Sequence, residues 1–254
     1  MVTSTSRRRL LLAGATVLLS GCSGSGIPPL TEVRVPGTCR TPDSLVEFST
    51  LGGATLGYEV GRTSTSYKAD PRFVELLEAW AEDWSPMSGL GAMTTIWSYG
   101  AYVDKCDSFH ASGRAFDIAE VEHEGGSISC RYDVWGPGSA VQNRDYWRLA
   151  ASLHLHFGYT LTHLYDEAHH NHIHVDNAVS GWGTPTFSPR SRVQVQLVQA
   201  ACRDVFGADV EISGSYDEQT QSALRTIQAS LGITRPLGDA DGWREFLRLT
   251  ASAT

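Results

Sequence analysis

The sequence predicts an α+β fold in which a small antiparallel sheet is flanked by helices. Two segments carry apolar side chains at helical spacing, and short segments with the alternation of strands lie between and after them. A third stretch of helical spacing follows a segment rich in Gly, Thr, Pro and Ser. Helices that flank short, non-repeating strands are typical of the α+β class.

The first predicted helix begins at Pro71. Asp70 is a favourable N-cap, and proline is well tolerated at the first helical position. The apolar side chains that follow at helical spacing are Phe73, Leu76, Leu77, Trp80 and Trp84. We expect this stripe to belong to the hydrophobic core.

The second predicted helix runs from about Asn143 to Phe157 and stops at Gly158. Its apolar face consists of Tyr146, Leu149, Leu153 and Phe157. His154 and His156 fall in the last turn, where free carbonyl groups favour positive charge. We expect both histidines to be structural.

Strand-like segments run from Ala115 to Val121, from Tyr159 to Tyr165 and from Ile173 to Val175. Side chains of a strand alternate between two faces. Asp117 would therefore share a face with Ala115 and Ala119, opposite the face of Phe116 and Ile118. A carboxylate buried without a partner is costly, and a bound cation is one way to satisfy it.

The N-terminal residues have the pattern of an export signal. Arg7 to Arg9 precede an apolar run from Leu10 to Leu19, which is too short to span a bilayer as a stable helix. The following Leu-Ser-Gly-Cys resembles the bacterial lipobox, and the two arginines after Ser6 resemble a twin-arginine signal. The resemblance implies a diacylated Cys22, while an ordinary secretory signal with a chance cysteine is the alternative.

This signal implies an exported protein that is lipid-anchored on the outer face of the cytoplasmic membrane, in the cell envelope. Residues 22–38 contain Gly-Ser and Pro-Pro sequences suited to a tether. Residues 1–21 contain three arginines and no acidic residue, so the remaining chain has 17 basic and 28 acidic residues, a net charge of −11. Such an acidic chain repels phosphate backbones, which argues against a nucleic-acid partner.

Four cysteines remain besides Cys22, and they are Cys39, Cys106, Cys130 and Cys202. An even number in an exported chain predicts disulfides, with three possible connectivities. We favour Cys106 with Cys130, which would brace the segment that contains His110 and Asp117, and Cys202 is then able to pair with Cys39. A zinc site of thiolates is the alternative, but the chain has no C-x-x-C pair.

Histidines are concentrated between His169 and His174. His172 and His174 are two residues apart, so a strand would place both imidazoles on one face and Ile173 in the core. Two imidazoles on one face indicate metal binding or proton transfer, although an isolated H-x-H is also found among surface histidines. We expect His169 and His170 to be solvated residues at the mouth of the site.

Together these segments resemble the zinc peptidases that include the D-alanyl-D-alanine carboxypeptidases, the penicillin-insensitive murein endopeptidases and the extensin-like C-terminal domains. Their shared pattern is S-x-H-x-x-G-x-A-x-D followed later by H-x-H. This sequence supplies it with Ser108, His110, Gly113, Ala115, Asp117, His172 and His174. The resemblance covers roughly residues 95–177, and it implies that His110, Asp117 and His174 bind Zn²⁺ and that His172 is the catalytic base.

That assignment is chemically consistent. Two neutral imidazoles and one carboxylate leave zinc an open fourth position, which is typical of catalytic sites. Zinc lowers the pKa of water and polarises a carbonyl group, and an imidazole is suited to transfer the proton. Asp176 extends the same face and is able to fix the tautomer of an imidazole, although a plain surface carboxylate is an equal interpretation.

Two departures from the family pattern affect the prediction. The carboxypeptidase branch has a glutamate base in an E-x-x-H arrangement, whereas Asn171 stands three residues before His174, which favours the endopeptidase-like or extensin-like branch. Relatives also place an arginine upstream of S-x-H, but here that segment contains only Lys105. Lys105 or Arg114 is the expected substitute, and Ser108 completes the candidate substrate-binding residues.

Residues 193–254 resemble the small three-helix peptidoglycan-binding domain found at the ends of many cell-wall hydrolases. The resemblance is carried by Val195 to Gln199, Gly214-Ser215-Tyr216, Ala223-Leu224, Ile227-Gln228, Gly232-Ile233 and Asp241-Gly242-Trp243. Most of these residues hold the fold, so a structural module without a ligand is the alternative. The predicted organisation is an export signal at 1–21, a tether at 22–38, a zinc peptidase-like domain at 39–180, a linker at 181–192 and this module at 193–254.

The predicted function is hydrolysis of peptide cross-links or stem peptides in peptidoglycan by a monomeric zinc peptidase, of the endopeptidase or D,D-carboxypeptidase type. The alternative is a non-catalytic, zinc-stabilised lipoprotein that binds the cell wall. An enzyme acting on another secreted polymer is a weaker third hypothesis.

Overall fold

The computed structural model describes residues 39–106, 108–136, 139–178 and 180–254. The predicted export signal, the lipidation site Cys22 and the tether lie outside the described residues. Within the described ranges, no helix has the length and apolar character needed to cross a bilayer.

The α+β class is confirmed. The strands are β1 (Val46–Phe48), β2 (Thr50–Leu51), β3 (Ala54–Tyr58), β4 (Thr63–Ser64), β5 (Tyr67–Ala69), β6 (Met93–Gly100), β7 (Ala115–His123), β8 (Gly126–Ser129), β9 (Tyr159–Leu161) and β10 (Ile173–Asp176). The helices are α1 (Pro71–Ser88), α2 (Tyr132–Trp135), α3 (Ala140–His154), α4 (Arg192–Ala200), α5 (Glu218–Leu231) and α6 (Ala240–Ala251).

The main sheet is larger than the small antiparallel sheet predicted from the sequence. Its order is β2-β3-β6-β7-β10-β9, with β4 paired to β3 and β8 paired to β7, and β1 and β5 form a separate pair. The sheet is mixed rather than antiparallel, because β3 and β6 run parallel. Parallel neighbours need a long connection, and α1 lies in the connection between these two strands.

Helix α1 begins where the sequence predicts. The Asp70 side chain accepts a hydrogen bond from Arg72 N at 2.9 Å, and Gly89 ends the helix with a φ of 70°. Four residues of the predicted apolar stripe are buried in the core, and Leu76 is half-buried against it. Within the core, Trp80 Nε1 donates to Ser152 Oγ of α3 at 3.0 Å.

Helix α3 begins three residues earlier than predicted and ends at His154. Ser139 and Gln142 form a capping box, and this explains the earlier start. The helix ends before His156, whose Nε2 instead lies 3.1 Å from Asp83 Oδ2. His154 is completely buried and faces the Trp243 ring at a centroid distance of 6.2 Å.

Helices α4 and α6 pack against α3, α5 packs against α4, and all three share one hydrophobic core with the sheet. A π-helical turn at Ala201–Val205 follows α4, and Arg148 of α3 donates through Nε to Ala251 O at 3.1 Å. The independence of residues 193–254 as a separate three-helix domain stays a prediction.

The disulfide joins Cys39 to Cys106, whose Cα atoms lie 5.1 Å apart, so the favoured pairing of Cys106 with Cys130 is wrong. Cys130 and Cys202 are both buried free thiols, and the second suggested pair, Cys39 with Cys202, is wrong as well. Both buried thiols lie within the apolar core, which raises the pKa of each. The disulfide therefore links the loop that contains Cys106 to Cys39, the first described residue, and not to the core.

Candidate metal centre

His110 is held by a 3₁₀ turn, Phe109–Ser112, immediately before β7. Ser108 caps this turn by accepting a hydrogen bond from His110 N at 3.2 Å. Gly113 ends the turn with a φ of 68°, and a Cβ at this position would lie 2.8 Å from Asp70 N. The glycine of the motif therefore allows the chain to turn closely past the start of α1 and into β7.

Asp117 and His174 come together through strand pairing. They occupy β7 and β10, and the antiparallel register places them directly opposite each other. Side chains of such a cross-strand pair lie on the same face of the sheet. On the opposite face, Phe116 and Ile118 are completely buried, as the predicted alternation requires.

The three predicted zinc ligands converge. His174 Nδ1 lies 2.8 Å from Asp117 Oδ1 and 3.2 Å from His110 Nε2. His110 Nε2 lies 3.3 Å from Asp117 Oδ2. One ligand atom from each side chain lies within 4.8 Å of the other two, so this group has the geometry to hold a metal ion.

The outer nitrogen of each ligand imidazole has its own partner. His110 Nδ1 bonds to the carbonyl oxygen of Ala101, and His174 Nε2 lies 3.1 Å from Asp176 Oδ2. Asp176 is buried and accepts a further hydrogen bond from Ala178 N at 2.7 Å. Such outer partners orient metal-binding histidines and fix which nitrogen faces the ion.

The electrostatics of the cluster favour positive charge. Burial raises the pKa of the Asp117 carboxyl, but the hydrogen bonds and charges of His110 and His174 outweigh burial and hold its pKa well below the ordinary range. Burial lowers the pKa of His174, whereas its hydrogen bonds to Asp117 and Asp176 raise that pKa to about 10. Two carboxylates around one imidazole therefore stabilise a cation at this position.

His172 lies beside the ligand group, although it precedes β10 and is not part of the strand. Its Nε2 is 3.4 Å from Asp117 Oδ1, and its Nδ1 is 2.6 Å from Asn171 Oδ1. Burial lowers the pKa of His172 to about 4. The imidazole predicted as catalytic base is thus neutral and adjacent to the candidate ligands.

His169 belongs to the candidate metal centre more closely than the sequence predicts. Its side chain is only 15% exposed, its Nδ1 lies 2.6 Å from Asp166 Oδ1, and its ring lies 5.2 Å from that of His172. His169, His172 and His174 form a second group with metal-binding geometry. The spacing H-x-x-H-x-H is the sequence signal that indicates this arrangement, and the expectation of a solvated His169 is wrong. His170 packs against Tyr132 instead.

The three candidate substrate-binding residues, Arg114, Lys105 and Ser108, do not form one cluster. Arg114 Nε donates to Asn177 Oδ1 at 2.7 Å and interacts with Asp176, so its guanidinium lies on the outer side of His174. Lys105 lies in an exposed segment next to the disulfide. Ser108 serves as the cap of the turn described above.

Tyr99 lies near His172, and neither Tyr99 nor its neighbour Arg131 belongs to a motif of the sequence. The Tyr99 ring, on β6, lies 5.9 Å from the His172 ring. The charge of Arg131 acts on Tyr99, and Arg131 also pairs with Glu59 at 2.9 Å and with Asp133 at 2.8 Å. Strand order brings Tyr99 to the site, because β6 lies beside β7.

Comparisons with family models, with curated proteins and with solved structures find no match to this chain.

Proposed function

We propose that this protein is a zinc-dependent peptidase that hydrolyses peptide cross-links or stem peptides of peptidoglycan. The observation that carries the proposal is the convergence of His110, Asp117 and His174, with the His172 imidazole beside them. This arrangement supports hydrolysis rather than a closed structural site, since three protein ligands leave a coordination position for substrate or water.

The donor set fits zinc. Two imidazoles and one carboxylate are typical of catalytic zinc, whereas calcium and magnesium prefer sets composed of oxygen atoms. His110 would bind through Nε2 and His174 through Nδ1, because the opposite nitrogens have partners of their own. When bound, zinc supplies Lewis acidity and lowers the pKa of water, which is the chemistry that amide hydrolysis requires.

Side chains of the protein would then transfer the proton. In this proposal His172 would accept a proton from water and donate it to the leaving amine nitrogen. Asp117 and Asp176 hold His174 in place from both sides. Tyr99 and His169 flank His172 and limit the rotation of its ring.

Peptidoglycan is the proposed substrate because of the motif resemblance and the predicted location. The lipobox-like sequence at Cys22 would anchor the enzyme to the membrane in the cell envelope, and residues 193–254 resemble a wall-binding module. A tethered monomer would encounter its substrate at a high local concentration. Asn171 favours the endopeptidase-like or extensin-like branch over the carboxypeptidase branch.

The test begins with the purified full chain. We expect one bound zinc per protein, cleavage of muropeptides that a chelator abolishes, and recovery of cleavage when zinc returns. His110→Ala and Asp117→Ala should lose zinc, whereas His172→Ala should keep zinc and fold but lose turnover. Mass spectrometry of the digested muropeptides identifies the bond that is cleaved. Cleavage by metal-free protein would overturn the proposal.

A second candidate function is a wall-binding protein that uses zinc for stability only. A groove of about 800 Å³ between the end of the π-helical turn and α5 favours it. The lining includes the aromatic Phe206 and the charged residues Asp209, Glu218 and Arg225. Sedimentation with insoluble peptidoglycan separates the two functions, because a pure binding protein would sediment with the wall and release no muropeptide.

A further inference from the structure

Trp182 follows β10 and is a large apolar side chain that remains 37% exposed. Two arginines lie over its ring. The guanidinium carbon of Arg72 is 4.3 Å from the ring centroid, and that of Arg114 is 4.9 Å from it. Stacking of this kind stabilises a cation and restricts the conformations of the arginine side chain. The two guanidinium groups are therefore held close to each other at the surface.

Different elements supply the two arginines. Arg72 is an exposed residue in the first turn of α1. Arg114 precedes β7 and is half-buried, and its Nε donates to Asn177 Oδ1 at 2.7 Å. Asn177 is completely buried, so it anchors Arg114 to the interior of the fold. Stacking uses the face of a guanidinium group, and the Nη donors at its edge stay available to a further partner.

The nearest carboxylates are engaged by other groups. Asp70 accepts a hydrogen bond from the backbone N of Arg72 at 2.9 Å and forms an ion pair with Arg40. Asp176 Oδ2 lies 3.1 Å from His174 Nε2. The chain has 28 acidic and 20 basic residues, yet within its described part no carboxylate forms an ion pair with either stacked guanidinium. The unused donors therefore favour an anion from outside the chain.

The charge around the site favours a monovalent anion. Two guanidinium groups and the first turn of α1 attract negative charge. The charges of Asp70 and Asp176 act on Arg114 and reduce that attraction, so a dianion such as phosphate would be repelled more than a carboxylate. A carboxylate also accepts two parallel hydrogen bonds from one guanidinium group.

We infer that Arg72, Arg114 and Trp182 form a binding site for the free carboxylate of a peptide. The Nη groups of the two arginines donate to the carboxylate, and Trp182 holds both guanidinium groups in position. The site is separate from the candidate metal centre, because the guanidinium of Arg114 lies on the outer side of His174. The inference does not require the proposed peptidase activity.

The first experiment is a titration of the zinc-loaded full chain followed by ¹H–¹⁵N NMR, with Trp182→Phe used to assign the Trp182 indole signal. N-acetylalanine should shift this signal to saturation, whereas N-acetylalaninamide, which has no charge, should leave it unchanged. Inorganic phosphate should bind more weakly than N-acetylalanine. The absence of a shift, equal shifts with both alanine compounds, or tighter binding of phosphate would overturn the inference.

The second experiment compares the Kd of N-acetylalanine among variants. Arg72→Gln should raise Kd by at least about 10-fold, since a hydrogen bond to a charged group is lost, and the melting temperature should stay unchanged because Arg72 is exposed. Arg114→Lys keeps the charge but loses the fork of donors and should also raise Kd. Arg248→Gln removes the same charge from α6 and should leave Kd unchanged. An equal Kd for the wild type and Arg72→Gln would contradict the site.

A third measurement separates this site from the metal centre. After zinc is removed with the neutral chelator 1,10-phenanthroline, N-acetylalanine should still shift the Trp182 signal with the same Kd. Loss of binding would assign the carboxylate to the metal and overturn the inference. If the Trp182 site binds N-acetylalanine but the zinc-loaded protein cleaves no muropeptide, the peptidase proposal is wrong while the carboxylate site stands.

Discussion

The metal centre and the C-terminal helices are held together by different interactions. At the centre, half-buried polar side chains are ordered by hydrogen bonds on one face of the sheet. In the C-terminal segment, Trp243 and Phe246 are completely buried beside α3. The metal centre therefore contributes candidate metal-binding groups but buries little apolar surface. The C-terminal helices contribute to stability through apolar burial and supply none of these groups.

This difference predicts that the two properties respond to different mutations. A substitution at the centre should change metal affinity more than the free energy of unfolding. A substitution beneath α6 should do the reverse, because one continuous core joins that helix to the sheet. Three predictions follow from this comparison, in order of decreasing effect.

Trp243→Ala should cause the largest loss of stability. The indole is completely buried, and such a truncation costs about 3–5 kcal/mol of unfolding free energy. Because the core is shared, urea unfolding followed by circular dichroism should show one transition, shifted for the whole protein. Trp182→Ala is the control, since that indole is 37% exposed and should change stability little. Two separate transitions would show that the C-terminal helices unfold independently.

Asp176→Asn should weaken zinc binding without a comparable loss of stability. Asp176 accepts the outer N–H of His174, and loss of such a partner lowers metal affinity by about 10- to 100-fold. Competition with a chromophoric chelator measures this change. Asp166→Asn serves as the matched control, because Asp166 contacts His169 rather than the proposed ligand triad. Equal affinities for the wild type and Asp176→Asn would contradict the assigned orientation of His174.

His154 should make the α3–α6 contact sensitive to acid. Burial lowers the pKa of His154 to about 3, so unfolding below the ordinary histidine pKa takes up a proton. The contribution of His154 is fully present above about pH 6.5 and is lost as the pH falls toward the folded pKa.

Between about pH 7 and pH 5, this loss amounts to about 2 kcal/mol of unfolding free energy. His154→Leu should remove that part of the pH dependence, as measured by urea unfolding at both pH values. Parallel pH dependences in the wild type and the variant would show that His154 is not held neutral.

Much of the metal centre was predictable, because its signals are local. The S-x-H motif with His110, the alternation that separates Asp117 from its large apolar neighbours and the H-x-H pair each depend on a few neighbouring residues. The resemblance to zinc peptidases added the expectation that these distant segments meet. His169 was missed because it lies outside the H-x-H pair of His172 and His174, and only the longer spacing H-x-x-H-x-H includes it.

The disulfide could not be derived from spacing. Cys106 and Cys130 are closer in sequence than Cys106 and Cys39, but Cys130 is enclosed in the core beyond β8. Tyr99 was also missed, since it belongs to no motif and only the order of the strands brings it near His172.

The sequence by itself determined the fold class, the start of α1 and the chemical identity of the candidate ligands. These features depend on residue type and on periodicity over a few positions, and both are properties of the sequence itself. Only the folded chain shows the parallel pairing of β3 with β6, the disulfide partners, the partial burial of His169 and the packing of α6 on α3. Those features depend on contacts between residues far apart in the chain, and local pattern does not specify which distant surfaces bury each other.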